Sequence, residues 1–188
     1  MIIGISGPTA SGKTTIANML ATKLDAFRIR YSDILSQIAY ERGLDANDKA
    51  TLQALYLSER KEKGEDFLAR ALEEKVMGIS SPNIIIEGNR RLVDIDTLRR
   101  IAEVKQDRLL LLFIDASLET RFARYNGRLQ KHDELPISYE AFMELEANGA
   151  ENELPELREI FAQKGLHIDG SNRTPEQIFA EIAEYFQI

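Results

Sequence analysis

Short apolar runs alternate with longer stretches of helical periodicity along most of this chain. Met1 to Ile5 is apolar, rich in isoleucine and followed at once by a glycine-bearing turn, which predicts a strand buried on both faces. Thr14 to Leu24 places Ile16, Leu20 and Leu24 on one helical face, so strand, turn and helix form a first βα unit. The pattern then predicts an extended Phe27 to Arg30, a helix from about Ser32 to Arg42, and a long helical tract from Asp48 to Met77. A strand at Ile84 to Ile86, a helix around Val93 to Val104 and a strand at Leu109 to Ile114 follow; the six consecutive apolar residues of the last suit burial on both faces. Strands alternating with helices predict an α/β fold, a parallel sheet of about five strands with helices on both faces.

Beyond Ile114, Ser117 caps a helix expected to run to about Arg128, where Gly127 and the polar Arg128 to Glu134 interrupt the pattern. Ser138 starts another helix, favoured by Glu140 in its first turn. The segment from about 128 to 152 has few apolar anchors and is expected to be a small mobile lid. Leu166 to Ile168 is short enough for an edge strand, turned by Asp169-Gly170; Thr174, Pro175 and Gln177 supply an N-cap, a first-turn proline and the matching capping-box position for the last helix. The whole reads as a single domain, with acceptor-side helices at about 32–78.

Chemistry enters with Gly7-Pro8-Thr9-Ala10-Ser11-Gly12-Lys13-Thr14, a complete G-x-x-x-x-G-K-[ST] string between a predicted strand and a predicted helix. Such a loop wraps its backbone round phosphate oxygens, so that the amides of Thr9, Ala10, Ser11 and Gly12, with those of Lys13, Thr14 and Thr15 in the helix's first turn, point at the anion. Lys13 is expected on the β and γ phosphates of ATP and Thr14 on Mg2+. This sets the fold class as the three-layer P-loop NTPase fold. Switches, motors and ATPases share the loop, so the chemistry of any acceptor must come from elsewhere.

The strand Ile84 to Ile86 runs into Glu87-Gly88-Asn89-Arg90-Arg91 at the carboxyl edge, where open α/β sheets bind ligands. Glu87 is a candidate for a magnesium-bound water or for orienting the acceptor, and Arg90 or Arg91 for gripping an acceptor phosphate through paired hydrogen bonds. Asp33 opens the helix after the second strand and can accept the nucleophile's proton, hold a sugar hydroxyl or simply cap the helix. Arg124 and Arg128, four apart, share a helix face and can neutralise charge on a transferred phosphoryl group, while Arg121 lies on a neighbouring face. Arg60, with Arg42 and Lys61, sits in the helical tract of the acceptor side. His132 beside Asp133 is assigned no role, and Tyr31, Tyr40, Tyr56 and His167 read as core or boundary residues.

Composition narrows the partners. A net charge of −7 over 188 residues argues against a nucleic-acid partner, whereas a local arginine cluster can still hold a small anion. With no cysteine and two dispersed histidines, thiolate chemistry and soft-metal sites are excluded, leaving a hard, oxygen-bound metal. No apolar run approaches the roughly 20 residues of a membrane span, and MIIGISG enters the motif without a basic stretch or cleavage site, so a cytoplasmic protein without a membrane partner is expected.

With these residues in view, the chain resembles the nucleoside monophosphate kinase group of P-loop kinases over nearly its whole length. Ile86-Glu87-Gly88-Asn89-Arg90-Arg91 is similar to the acidic-Gly-x-x-Arg turn that adenylate kinases use on the acceptor phosphate, which favours Arg91. Asp115, Arg124, Gly127 and Arg128 match the spacing by which those enzymes enter their lid, and His167-Ile168-Asp169-Gly170-Ser171 resembles their late strand-turn, whose following backbone, at Asn172, lies against adenine. Leu52-Gln53, Ser58-Glu59-Arg60 and Gly64 to Ala71 look like the helical pair of dephospho-CoA-kinase-like proteins and phage-type deoxynucleoside monophosphate kinases, an alignment that favours Arg90 instead. Against these likenesses, Ser36 stands where adenylate kinases place an acceptor arginine, Glu87 replaces the commoner aspartate, Tyr31-Ser32-Asp33 lacks the Asp-x-Asp of many dephospho-CoA kinases, and Leu145-Glu146-Ala147-Asn148 lacks a lid arginine.

The resemblance implies Mg-dependent phosphoryl transfer from ATP to a nucleotide-like acceptor, a (deoxy)nucleoside monophosphate in the first instance, with dephospho-CoA as the alternative acceptor. A partner-stimulated P-loop ATPase without a small acceptor is the reading from another class.

Overall fold

The computed structural model describes residues 1–131, 135–147 and 152–188. In chain order the elements are β1 (Ile2–Ser6), α1 (Lys13–Leu24), β2 (Phe27–Arg30), α2 (Tyr31–Glu41), α3 (Lys49–Lys63), α4 (Phe67–Met77), β3 (Ile84–Asn89), α5 (Leu92–Lys105), β4 (Leu109–Asp115), α6 (Leu118–Lys131), α7 (Tyr139–Ala147), α8 (Leu154–Lys164), β5 (Leu166–Asp169) and α9 (Pro175–Phe186). The strands form one parallel sheet in the order β2-β3-β1-β4-β5. Every strand therefore ends at the same edge, and the loops after β1, β2 and β3 gather there.

Two apolar layers hold the sheet because successive side chains of a buried strand point to opposite faces. Ile2, Ile29, Ile84, Ile86, Leu111 and Phe113 pack with residues of α2, α4, α5 and α8. Ile3, Ile5, Ile85, Leu110, Leu112 and Ile114 pack against α1 and α9. Glu87 continues the second face of β3, two residues beyond Ile85, and so emerges on the side of α1.

Three elements depart from the sequence expectation. The tract Asp48 to Met77 is two helices, parted at Gly64, whose φ of +95° is a conformation that L side chains rarely adopt. Helix α6 passes straight through Gly127 to Lys131, since a single glycine costs only about 1 kcal/mol and the extra turn buries Leu129. Helix α8 was not anticipated at all; Leu154, Leu157 and Phe161 fix it on the sheet, with the Phe161 ring edge-on to Phe113 at 6.1 Å between centroids. Of the expected lid at 128–152, α7 is present, while His132, Asp133 and Asn148 lie outside the described residues. Among the described residues no helix is long and apolar enough to cross a membrane.

Candidate active site

The turn from β1 into α1 is built round Gly7, where φ is +137° and a Cβ would lie 2.0 Å from the Ile114 carbonyl oxygen of the neighbouring strand. No other residue fits there without displacing β4. Gly12, at φ +105°, then hands the chain to α1, whose first amides Lys13, Thr14 and Thr15 have no helical acceptor of their own. Lys13 is buried, its Nζ donating to the Pro8 carbonyl. Ser11 Oγ is buried with no hydrogen-bond partner among the described residues. An orphaned hydroxyl beside a helix N-terminus is the environment a phosphate oxygen satisfies, so the loop suits the triphosphate that the motif implies.

Thr14 Oγ1 donates to Glu87 Oε1. Glu87 is only 4 % exposed, and its other oxygen accepts from Arg28 Nη1 at 2.6 Å. A register shift between β1 and β3 pairs Ile5 with Glu87 but Ser6 with Asn89, leaving Gly88 unpaired and bending the end of β3. Ser6 Oγ donates to the Asn89 carbonyl at 2.5 Å, and Asn89 Nδ2 donates to the carbonyls of Ile5 and Ile86, which pins the bulge. Among the described residues no group of three acidic or histidine side chains gathers to hold a metal. Mg2+ commonly takes one or two carboxylates and completes its shell with phosphate oxygens and water, so Thr14 and Glu87 suit it in that mode.

A single cleft of about 1370 Å3 runs from this loop across the ends of β2 and β3. Thr9 to Thr15, Glu87, Arg124 and Arg128 line the phosphate-loop end; Arg60, Arg90 and Arg91 line the other, with Arg30 and Tyr56. Arg124 bridges the loop to the β5 turn, donating to Ser11 O at 3.0 Å and Gly170 O at 2.8 Å. The Arg128 guanidinium lies over the Tyr125 ring at 5.0 Å. Arg90 reaches towards the loop, Nη2 lying 3.5 Å from Thr9 Oγ1. Arg91 turns the other way: Nη1 donates to Glu65 O at 2.7 Å, Nη2 to Glu65 Oε2 at 2.9 Å, and Nε to Glu153. Arg60 shares that Glu65 carboxylate, and its hydrogen bond, followed by that of Arg91, holds Glu65 below the usual carboxylate range. The two arginines left as alternatives by the sequence thus occupy different parts of the cleft.

Other expected residues fall elsewhere. Gly7 supports the loop from behind, and Asn172 is exposed in the turn after β5; neither lines the cleft, although the adjacent Arg173 does. Asp33 is the capping-box partner of α2 and pairs with Arg30, away from the cleft wall. Arg42 pairs with the fully buried Glu59, which also binds Lys63, so this trio braces α2 against α3. Tyr31 is buried against Asp94, Tyr40 is 80 % exposed, and His167 lies edge-on to Phe113.

Arg28 was missed, and Arg121 was given only a place on a neighbouring helix face. Arg121 is 8 % exposed, donates to Ala116 O at 3.1 Å and to the loop carbonyl of Thr9 at 3.2 Å, and pairs with Glu146 of α7. Its signal is its place in the inward stripe of Leu118, Phe122, Tyr125 and Leu129, where a charge needs a partner. Arg28 shows as the polar alternate of Ile29 on a strand that pairs with β3, whose end carries Glu87.

Fold and cleft together define a P-loop protein: a three-layer α/β domain with its phosphate loop between the central strand and the first helix. More narrowly, the chain belongs to the AAA domain family, whose pattern matches residues 3–149. It is similar to the cytidylate kinase of Sulfurisphaera tokodaii, 29% identical over 140 residues, a match covering 73% of this chain and 66% of that protein's length. The fold is shared with the crystal structure of a candidate kinase from Chloroflexus aurantiacus J-10-fl, at TM-score 0.59 and 18% identity over 99% of this chain and 95% of that one. It is shared too with an uncharacterized protein from Eubacterium ventriosum, at TM-score 0.57 and 12% identity over 100% and 98%.

Proposed function

We propose that the protein is a kinase that transfers the γ-phosphoryl group of ATP to a nucleoside monophosphate. The observation that carries this reading is the two-ended cleft, with the phosphate loop at one end and Arg60, Arg90 and Arg91 at the other. A hydrolytic switch needs only the first end. A second cluster of guanidiniums in a chain of net charge −7 suits a second anion.

In this reading Lys13 holds the β and γ phosphates, with the loop amides from Thr9 to Thr15 around them. Thr14 and Glu87 hold Mg2+, which when bound neutralises phosphate charge and keeps the chain of phosphates aligned. Arg124 and Arg128 face the transferred group, and Arg60, Arg90 and Arg91 orient the acceptor. An acceptor phosphate oxygen forms the new bond to the γ phosphorus as the bond to the β,γ-bridging oxygen breaks, and ADP leaves. The attacking oxygen is already anionic, so rate comes from alignment and charge stabilisation rather than from a base. Helix α7 and the end of α6 serve as the lid that keeps water from the γ phosphate. The setting is the ATP-rich cytoplasm.

Cytidine monophosphate is the first acceptor to test, given the cytidylate kinase relative. ADP release from Mg-ATP is measured with ribo- and deoxynucleoside monophosphates, dephospho-CoA and simple sugars, and each product is weighed by mass spectrometry. Strong stimulation by a monophosphate, with the diphosphate as product, is the expected result. Slow release indifferent to every acceptor would overturn the reading in favour of a partner-dependent ATPase.

A further inference from the structure

Arg30 is the last residue of β2 and the N-cap of α2, in register with Glu87 on β3. One turn on, Asp33 accepts from the Arg30 amide through Oδ2 at 3.0 Å. Through Oδ1 it accepts from the same residue's Nε at 2.9 Å and Nη2 at 2.6 Å. Backbone and side chain of Arg30 are thus tied to one carboxylate, which fixes the direction of a side chain that otherwise has many rotamers. Those bonds raise the Arg30 pKa above its ordinary value, with Asp33 as the leading cause.

The tie uses one edge of the guanidinium only. Its donors form a rigid fork, and Asp33 occupies the Nε side, so the Nη1–Nη2 edge is presented outward. Nη1 has no hydrogen-bond partner among the described residues. Arg30 lines the cleft, whereas Asp33 does not. The contrast with the far wall is chemical: Arg60 and Arg91 are already engaged by Glu65, and Arg91 by Glu153 as well, so an anion arriving there competes with carboxylates. Among the described residues no carboxylate is hydrogen-bonded to the outer edge of Arg30; Glu87, its register partner, acts on it through charge alone.

We infer that Arg30 is a specificity-determining residue that grips the phosphate of a phosphate-bearing acceptor, and that Asp33 is the positioning residue that aims it. The inference rests on the proposed reaction for its acceptor and removes Asp33 from the role of proton acceptor. An Nη1–Nη2 edge pairs two parallel N–H bonds with two oxygens of a phosphate, a match that a lone neutral hydroxyl cannot make. A carboxylate already accepting three hydrogen bonds outside the cleft is poorly placed to take a proton from a nucleophile within it.

The test compares wild type with Arg30→Ala, Arg30→Lys and Asp33→Asn. Equilibrium binding of CMP and of cytidine is measured by calorimetry, beside the turnover of ATP with CMP; if another monophosphate is the best acceptor in the panel, it and its nucleoside replace them. Arg30→Ala is expected to weaken CMP binding about tenfold to a hundredfold, the range of charge-assisted hydrogen bonds, while cytidine binding is unchanged. Arg30→Lys recovers part of the loss. Asp33→Asn raises the KM for CMP more than it lowers kcat, and leaves the pH profile of kcat without a lost basic limb. Unchanged CMP affinity in Arg30→Ala, equal loss of CMP and cytidine, or a collapse of kcat at constant KM in Asp33→Asn would each overturn the inference. Wild type that binds CMP in an Arg30-dependent way without turnover sinks the proposed reaction and upholds Arg30. Wild type that binds no monophosphate at all sinks both.

Discussion

Thr14 donates its hydroxyl to Glu87, 73 residues away, and that contact joins the first helix to the end of β3 beside the phosphate loop. Glu87 is held from its other side by Arg28, so three elements meet on one buried carboxylate.

Arg28→Ala leaves Glu87 buried without its cation. Because Arg28 itself is a quarter exposed, the expected loss is about 1 to 3 kcal/mol in urea unfolding rather than the larger cost of a fully buried pair. Adding Glu87→Gln to Arg28→Ala should restore part of that stability, since the unpaired charge is gone; strictly additive losses in the double variant would contradict the coupling.

Lys13→Ala should reduce phosphoryl transfer by at least about a hundredfold, the scale seen when one preorganised donor to developing charge is removed, with thermal unfolding close to wild type. Full turnover in this variant would end the kinase proposal.

Phe161→Ala probes a helix that periodicity had not announced. The ring is fully buried against Phe113, so about 3 to 5 kcal/mol of stability should be lost in denaturant melts. A loss below about 1 kcal/mol would mean that α8 is only loosely held on the sheet.

Asp94 tests the pH behaviour. Burial raises its pKa, against the lowering effect of hydrogen bonds from the Arg90 and Arg91 amides. A carboxyl raised in the folded state binds its proton more tightly there than in the unfolded chain. Its contribution to stability therefore falls as pH climbs from the unfolded value near about 3.9 to the raised folded one, and is level above it. Urea midpoints of wild type and Asp94→Asn, compared from acid to neutral pH, should show the wild-type advantage shrinking across that window; an advantage that grows would reverse the sign.

What the sequence revealed was local. The phosphate loop is contiguous, and the strands from Met1, Phe27, Ile84, Leu109 and Leu166 each announce themselves within a few residues. Arg28 and Arg121 were illegible as functional neighbours because their partners, Glu87 and the Thr9 carbonyl, arrive from distant segments. The capping role of Asp33 was among its sequence readings, but the pairing with Arg30 depends on a side-chain direction that spacing does not supply. Helix α8 was overlooked because its apolar spacing at Leu154, Leu157 and Phe161 follows directly on a polar segment read as lid.

Strand β1 precedes the other four strands in the chain and sits in the middle of the sheet, between β3 and β4. Neither β1 nor β2 has a partner earlier than β3, so no strand pair can form until Ile84 and its neighbours have left the ribosome. The phosphate loop is therefore made before β3 and gains Glu87 only when the sheet closes around β1. In a nascent chain halted before β3, Thr14 has no Glu87 to donate to, so the loop and its buried carboxylate meet only once the third strand has been made.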